Sequence, residues 1–386
     1  MLLAEQVQAM SGRLGTILTV YVNTGNQNLS RHPLIPAHQA WFRKEAARVS
    51  EGLQNAERKQ FLRESSRVEK FLETRRPEEK ALLIFAGKKA WTVIPLQIGV
   101  ENELRWGKPA LGQSFQLLNE HPSLGVVAVD HHAARFFLYR LGEINLVKEK
   151  AFVLDKSEWK QKELGHVTGE SVQKTRGSNR DVFERRVEAQ YERLCHETAE
   201  EVIRLTKKHE LAGLFLIGPI RLVNPLQARL GQPYRNIVVC IAEDLGKFSP
   251  RQILERMEPY VREFEQKRQR ALVVQLLFEE GKFRTNPDEI LAQMQNGAIH
   301  TLLVATDMDL QLHQCAKCGI ASRSADKTCA RCGGELRNLS LIELLPELAF
   351  TRDIKVEFVS GEAARELAKI GGIGGWPREA HVRAVG

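Results

Sequence analysis

With 386 residues, 43% of them hydrophobic and 27% charged, the chain has the composition of a folded protein of two or three domains, not of a disordered or fibrous one. No apolar run is long enough to span a bilayer, and no early run has the basic flank and cleavage site of a secretory leader. A cytoplasmic protein with no membrane partner is therefore expected. A net charge of +8 favours a polyanionic partner through phosphate contacts, and the 6 cysteines are too few for a disulfide framework in a chain of this length.

Residues 1–119 read as an N-terminal α/β domain. The run Thr16–Val22 is a strand. A helical stretch follows from about Pro36 to Arg76, broken near Gly52, with Trp41, Val49, Leu53, Phe61, Val68, Phe71 and Leu72 at helical spacing. Strands at Ala81–Ala86 and Trp91–Leu96 complete a β-α-α-β-β order in which two helices cover a small sheet.

Residues 120–262 read as a central α/β domain. Leu124–Val129 and Ala134–Tyr139 are strands separated by Asp130-His131-His132, and a third strand runs from about Ile144 to Val153. The stretch 156–180 has almost no periodicity and holds six Lys or Arg against three Glu, so a long basic loop is expected. A helix from about Asp181 to His209, a strand Gly213–Ile217, a helix near Val223–Leu230 and a strand Ile237–Ile241 follow. The letters Asp-His-His also occur in metal-dependent phosphoesterases. Adjacent histidines point to opposite faces of an extended strand, however, and the first strand ends in Val22-Asn23-Thr24 without the aspartate such a site needs. A hairpin turn is expected. Cys195 and Cys240 have apolar neighbours and are expected to be buried thiols.

Residues 263–386 read as a C-terminal α/β domain that begins inside the charged helix after Ser249-Pro250, where Ser249 can cap the first turn. The run Pro287–Met294 leads to a strand His300–Ala305. Leu341–Leu345 is helical, Lys355–Val359 a strand and Glu362–Lys369 a helix. Gly371–Gly375 then reads as the stop of that helix, with Gly371 or Gly372 as its left-handed cap.

Within this last segment, at 313–335, stand Cys315, Cys318, Cys329 and Cys332, two Cys-x-x-Cys pairs ten residues apart. Two residues between cysteines let both sulfurs of one turn face a single ion, and a second turn completes the closed S₄ tetrahedron of structural zinc. Gly319 and Gly333 follow the second cysteine of each pair and let the backbone fold tightly round the sulfur. Two disulfides or a redox dithiol use the same letters, but zinc is the expected cofactor. With sulfur in all four positions, no coordination place is open to activate water. Lys317, Arg323, Lys327 and Arg331 form a basic knob, suited to phosphate contacts or to solubility.

The run Asn286–Ala305, the four-cysteine insertion, Ile354–Ser360 and the helix ending in Gly371-Gly-Ile-Gly-Gly375 resemble the last domain of archaeo-eukaryotic class-one peptide chain release factors and Pelota. The whole chain is similar to the bacterial, Balon-like branch of that superfamily, whose members often carry a zinc ribbon in the third domain. The resemblance implies an α/β (α+β) fold of three release-factor-like domains, tRNA-shaped and bound at the ribosomal A site. Domain one would face the decoding centre, domain two would reach toward peptidyl-transferase, and domain three would meet a translational GTPase partner.

Two departures bear on the chemistry. The Gly-Gly-Gln loop that positions water at the peptidyl-tRNA ester in release factors is absent. The corresponding stretch is Lys174-Thr175-Arg176-Gly177-Ser178-Asn179-Arg180. The connection Ser50–Asn55 lacks the Asn-Ile-Lys-Ser tip of stop-codon readers. The expectation is a monomeric ribosome-binding translation factor with no catalytic residues, acting in ribosome rescue or hibernation, whose residues 174–180 reach ribosomal RNA phosphates. Two other readings stand beside it: a peptidyl-tRNA hydrolase with a divergent loop using Asn179, and an RNA-binding zinc-ribbon protein acting off the ribosome.

Overall fold

The computed structural model describes residues 7, 9–10, 15–25, 35–75, 78–152, 172–243, 248–278, 286–308, 310–324, 326 and 328–378, with the backbone alone for 172–187. The chain divides into two compact units, one of residues 1–121 and 265–386 and the other of residues 122–264. Among the described residues no helix is long and apolar enough to cross a membrane.

In the first unit, β1 (Ile17–Asn23) lies inside a four-stranded antiparallel sheet ordered β3-β2-β1-β4, with β2 (Ala81–Gly87), β3 (Ala90–Leu96) and β4 (Glu103–Gly107). Leu18, Val20 and Val22 alternate onto one face beside Leu82 and Ile84. There they meet Phe42 of α1 (Ala37–Glu51) and Phe61, Val68 and Leu72 of α2 (Asn55–Thr74). The two helices cover the sheet as the spacing of their apolar residues predicts. The opposite face is buried as well, which is why Thr19 and Tyr21 are fully enclosed. The Tyr21 hydroxyl donates to the Ala110 carbonyl at 2.8 Å and accepts from the Ser114 amide at 3.2 Å. Ser114 belongs to α3 (Gly112–Glu120), a helix that the sequence reading does not contain; β4 was missed with it.

The second unit is built on a five-stranded sheet, ordered β7-β6-β5-β8-β9, from β5 (Leu124–Val129), β6 (Ala133–Arg140), β7 (Glu143–Ala151), β8 (Gly213–Ile217) and β9 (Val238–Ile241). Strands β5, β8 and β9 are parallel; β6 and β7 form the antiparallel hairpin side. One face carries α4 (Val172–His209) and α5 (Ile220–Leu230), through Val202, Leu205, Leu222 and Leu226. The other carries residues 250–264 of α6 (Pro250–Phe278), through Ile253, Met257, Val261 and Phe264. A strand covered on both faces has no polar side, and β5 and β8 are accordingly buried at every position.

Three expectations meet this unit. Asp130-His131-His132 is the hairpin turn, with Asp130 Oδ1 accepting from the amides of His132 and Ala133 at 2.6 and 2.8 Å. Cys195 is buried, but Cys240 is exposed, because β9 is the edge strand and only its last residue, Ile241, is enclosed. Helix α4 begins at Val172, so Lys174–Arg180 lie in its first turns and not in a loop. Gln173, Lys174, Arg176 and Arg180 are good helix formers, and a lone Gly177 costs a helix only about 1 kcal/mol. The remainder of the expected loop, 156–171, lies outside the described residues.

The first unit continues with a three-stranded sheet, ordered β14-β10-β15. Its centre is β10 (Ile299–Ala305), with β14 (Lys355–Val359) parallel to it and β15 (Ile373–Pro377) antiparallel. Helix α7 (Pro287–Gln295) and α8 (Leu341–Arg352) cover one face with Leu291, Met294, Leu344 and Leu345. Residues 265–278 of α6 and helix α9 (Gly361–Ala368) cover the other with Val273, Leu276, Ala364 and Leu367. Asn286 caps α7, its side chain accepting from Asp288 and Glu289 amides at 2.9 and 3.3 Å, and Ser340 with Glu343 forms a capping box on α8. Phe115 of α3 meets Phe350 of α8 edge-on at 5.8 Å, and Arg105 of β4 pairs with Glu343 at 2.5 Å. The two missed elements therefore tie the N-terminal sheet to the C-terminal core.

Gly371 and Gly372 do stop α9 with positive φ, +110° and +73°. The glycines after them are more than a stop. Gly374 and Gly375 lie in β15, where a Cβ on the first would strike Leu276 and one on the second would come within 3.1 Å of Ile299. Close packing from α6 requires glycine in this strand.

Candidate metal centre

Between β10 and α8 the chain makes a small separate sheet, ordered β12-β11-β13, of β11 (Gln311–Cys315), β12 (Ala321–Ser322) and β13 (Leu336–Ser340). Strand β11 delivers Cys315 into the first tight turn, and β13 leaves the second. The turns are built alike. The Gly319 amide donates to the Cys315 carbonyl at 2.9 Å and the Gly333 amide to the Cys329 carbonyl at 2.8 Å, with φ of +74° and +68° at the two glycines. Each glycine adopts the left-handed conformation that folds the backbone back over its sulfur.

These turns bring the four expected cysteines together. Their sulfurs all lie within 4.8 Å of one another, with Cys315 and Cys332 3.4 Å apart and Cys318 and Cys329 3.6 Å apart. Among the described residues this is the only group of three or more His, Cys, Asp or Glu side chains placed to share an ion.

The electrostatics suit a cation. Amides of Cys318 and Lys317, 3.5 and 3.4 Å from the Cys315 sulfur, pull that thiol down to about 6. The amides of Arg331 and Cys332 lower Cys329 in the same way. Cys332 accepts from the Gly334 amide, yet the sulfurs of Cys315, Cys318 and Cys329 drive it up to about 12. Four thiolates repel each other at this distance, and a divalent ion at their centre removes the repulsion.

The ribbon is fastened to the fold beneath it. Leu312 and Ala321 are buried in the core shared by α7 and α8. The Gln295 side chain of α7 donates to the Ala321 carbonyl at 2.9 Å and accepts its amide at 2.8 Å, so one side chain completes the backbone pairing of β12. Arg323 pairs with Asp288 at 3.1 Å, which leaves Lys317 and Arg331 of the expected basic knob near the cysteines; Lys327 lies outside the described residues. Between the ribbon, α7 and α8 lies a cavity of ≈ 1160 Å³ lined by Asp288, Gln295, Cys318, Arg331, Glu347 and Arg352. No spacing in the sequence announces it, since its walls come from three separate stretches.

The other expected site, Lys174 to Arg180, is placed in the backbone of α4, and its side chains lie outside the described residues. At the hairpin tip of the same unit, His131 Nδ1 lies 2.8 Å from the Tyr191 hydroxyl of α4, its ring edge-on to that tyrosine, and its other nitrogen meets Arg221. Among the described residues no carboxylate pair joins them to make a metal site.

Residues 122–258 match the model of a family described as bacterial archaeo-eukaryotic release factor family 5. The resemblance to the bacterial branch of the release-factor superfamily is borne out there. No curated protein matches the chain. Among solved structures the chain is similar to a crystal structure of the archaeal translation termination factor aRF1, at 15% identity over 97% of each chain with a TM-score of 0.25. It is similar to S. cerevisiae Dom34, described as a translation termination-like factor interacting with Hbs1, at 12% identity over 78% of this chain and 75% of that one, with a TM-score of 0.39. A model of ribosome-bound archaeal Pelota and ABCE1 gives 12% identity over 98% and 94% of the two chains, with a TM-score of 0.41. The matched family span begins at the first residue of the second unit and contains all of α4.

Proposed function

We propose that this chain is a cytoplasmic, ribosome-binding translation factor that occupies the A site in rescue or hibernation without hydrolysing peptidyl-tRNA. The observation that carries the reading is a conjunction: residues 122–258 match a release-factor family, while no Gly-Gly-Gln occurs anywhere in the sequence. A chain that keeps the scaffold but lacks the water-positioning glutamine is suited to filling the site, not to cutting the ester. The domains at 1–119, 120–262 and 263–386 divide the work, with the central one nearest the peptidyl-tRNA and the last one nearest a translational GTPase partner.

Within that reading, Lys174, Arg176 and Arg180 meet ribosomal RNA phosphates, and Gly177 lets the backbone approach. Positions 176 and 180 are four apart in α4 and so share a helical face. Changing Lys174→Ala and Arg176→Ala together is expected to weaken ribosome affinity and to flatten its dependence on salt by about one to two in logarithmic slope. Pelleting through a salt series reads both. An unchanged slope removes this segment from the contact.

The ion is zinc. Four sulfurs are the donor set of a closed structural site, and the observed separations of 3.4 and 3.6 Å approach the edge of about 3.8 Å expected for Zn–S bonds near 2.3 Å. Cys315, Cys318, Cys329 and Cys332 would hold it, and it would supply folding free energy to the ribbon and no reactivity. Elemental analysis of the purified protein tests the identity and the stoichiometry.

Incubation with ribosomes carrying peptidyl-tRNA tests the function. The expected result is stable binding with the ester intact. Peptide release that disappears in Asn179→Ala would replace this reading with the hydrolase one.

A further inference from the structure

Helix α2 gathers four of its five cations on one side. At 3.6 residues per turn, Lys59, Arg63, Arg67 and Lys70 fall within an arc of about 80° on its solvent side. Three of its four carboxylates are engaged off the stripe. Glu69 and Glu73 accept from Arg43 of α1 at 2.6 and 2.5 Å, and Glu57 accepts from the Trp106 indole at 3.1 Å; Glu64, buried at 3% exposure, pairs with Arg67 at 3.8 Å. Among the described residues, the side chains of Lys59, Arg63 and Lys70 form no ion pair or hydrogen bond.

The stripe has an aromatic border. The Arg67 guanidinium lies over the Trp91 ring of β3, 4.2 Å from its centroid, and Trp91 meets Phe71 of α2 edge-on at 5.6 Å. Trp91 comes one residue after the exposed Lys88-Lys89 turn between β2 and β3, which adds two more exposed cations near it in the chain. Like charges four residues apart repel, and a helix that needed only solubility would interleave them with its acids. Here Glu69 and Glu73 are drawn to α1, and Lys59, Arg63 and Lys70 are left together beside the Arg67–Trp91 stack.

We propose that this face of α2, with the Lys88-Lys89 turn and Trp91, binds the sugar-phosphate backbone of RNA. A row of cations at one and two helical turns matches successive phosphates, and an arginine already stacked on tryptophan offers a flat surface to an unpaired base at its edge. An acidic protein segment would use the cations but not the stacking surface. The inference deepens the ribosomal reading and rests on it only for the source of the RNA.

The test uses the full chain and a fluorescein-labelled RNA hairpin with a single-stranded flank, followed by anisotropy across a salt series. The variant is Lys59→Ala/Arg63→Ala/Lys70→Ala, with Lys59→Arg/Arg63→Lys/Lys70→Arg as the charge-preserving control and thermal melting as the check on folding. The expected result is at least about a tenfold loss of affinity and a salt slope reduced by about two to three in the alanine variant, with little change in the control. Equal binding by wild type and the alanine variant overturns the proposal, as does failure of the wild type to bind the hairpin. Competition by polyglutamate as effective as by unlabelled RNA overturns it in favour of an acidic protein partner. Pelleting the same proteins with ribosomes separates the two readings. Loss on hairpin RNA without any ribosome binding by the wild type leaves this face standing and removes the ribosomal reading. Ribosome binding with equal salt slopes in wild type and alanine variant does the reverse.

Discussion

A Cβ at Gly334 would stand 2.9 Å from the Cys315 sulfur and 2.9 Å from the Lys317 Cβ, so the second turn closes over the cysteines only with glycine there. Gly334→Ala should weaken metal retention roughly tenfold, within the range for residues that support a ligand shell, as read by competition with a chromogenic chelator. This centre is legible in the sequence because its spacing is the geometry. Pairs held by tertiary structure are not legible: Arg268 and Glu357 stand 89 residues apart and meet at 2.7 Å inside the first unit. Burial pushes the Glu357 carboxyl up, and Arg268 with Lys355 outweighs it, holding the group below its ordinary range. A carboxyl lowered by folding stabilises the fold above its unfolded value, and that contribution disappears as pH falls through the folded value. Arg268→Ala leaves the buried Glu357 carboxylate with Lys355 as its remaining partner and should cost about 2 kcal/mol at neutral pH in urea unfolding. The cost should shrink at about pH 4, where protonation removes the buried charge; a loss independent of pH would mean that packing alone is involved. Exposure of Cys240 was hidden for a related reason, since strand order, not local sequence, makes β9 an edge.

At the scale of elements, the periodic helices and the fully apolar strands were readable, and what was missed lacks a local signature. The strand β15 carries Gly374 and Gly375, and glycine argues against a strand until Leu276 is seen lying against it. Leu276 is wholly buried, and Leu276→Ala should destabilise the protein by about 3 kcal/mol. Gly374→Ala alone should cost about 1–3 kcal/mol by overpacking against the same side chain. The double variant should be less destabilised than the sum, because the new methyl occupies space that the leucine vacates; strict additivity in the cycle would contradict the contact. Helix α3 and strand β4 escaped because each is short, and they are stabilised by Tyr21, Phe350 and Glu343 from distant parts of the chain. The start of α4 at Val172 shows the opposite error, with weak helix formers at 177–179 outweighed by stronger neighbours.

At the scale of the whole molecule, charge and scaffold point the same way. Cations are not spread evenly round α2: of its five Lys or Arg against four Glu, four stand in one stripe, while Arg43 engages Glu69 and Glu73 and Trp106 engages Glu57. Composition disclosed the excess but not where it gathers, which depends on which carboxylates the fold engages. The absence of Gly-Gly-Gln was visible from the letters alone, and it gains its meaning from the family match that spans 122–258. The most direct measurement is a cryo-EM reconstruction of ribosomes carrying peptidyl-tRNA after incubation with the purified protein. The account predicts density for the chain in the A site beside an intact peptidyl-tRNA. A vacant A site, or a P-site tRNA stripped of its peptide, would contradict it.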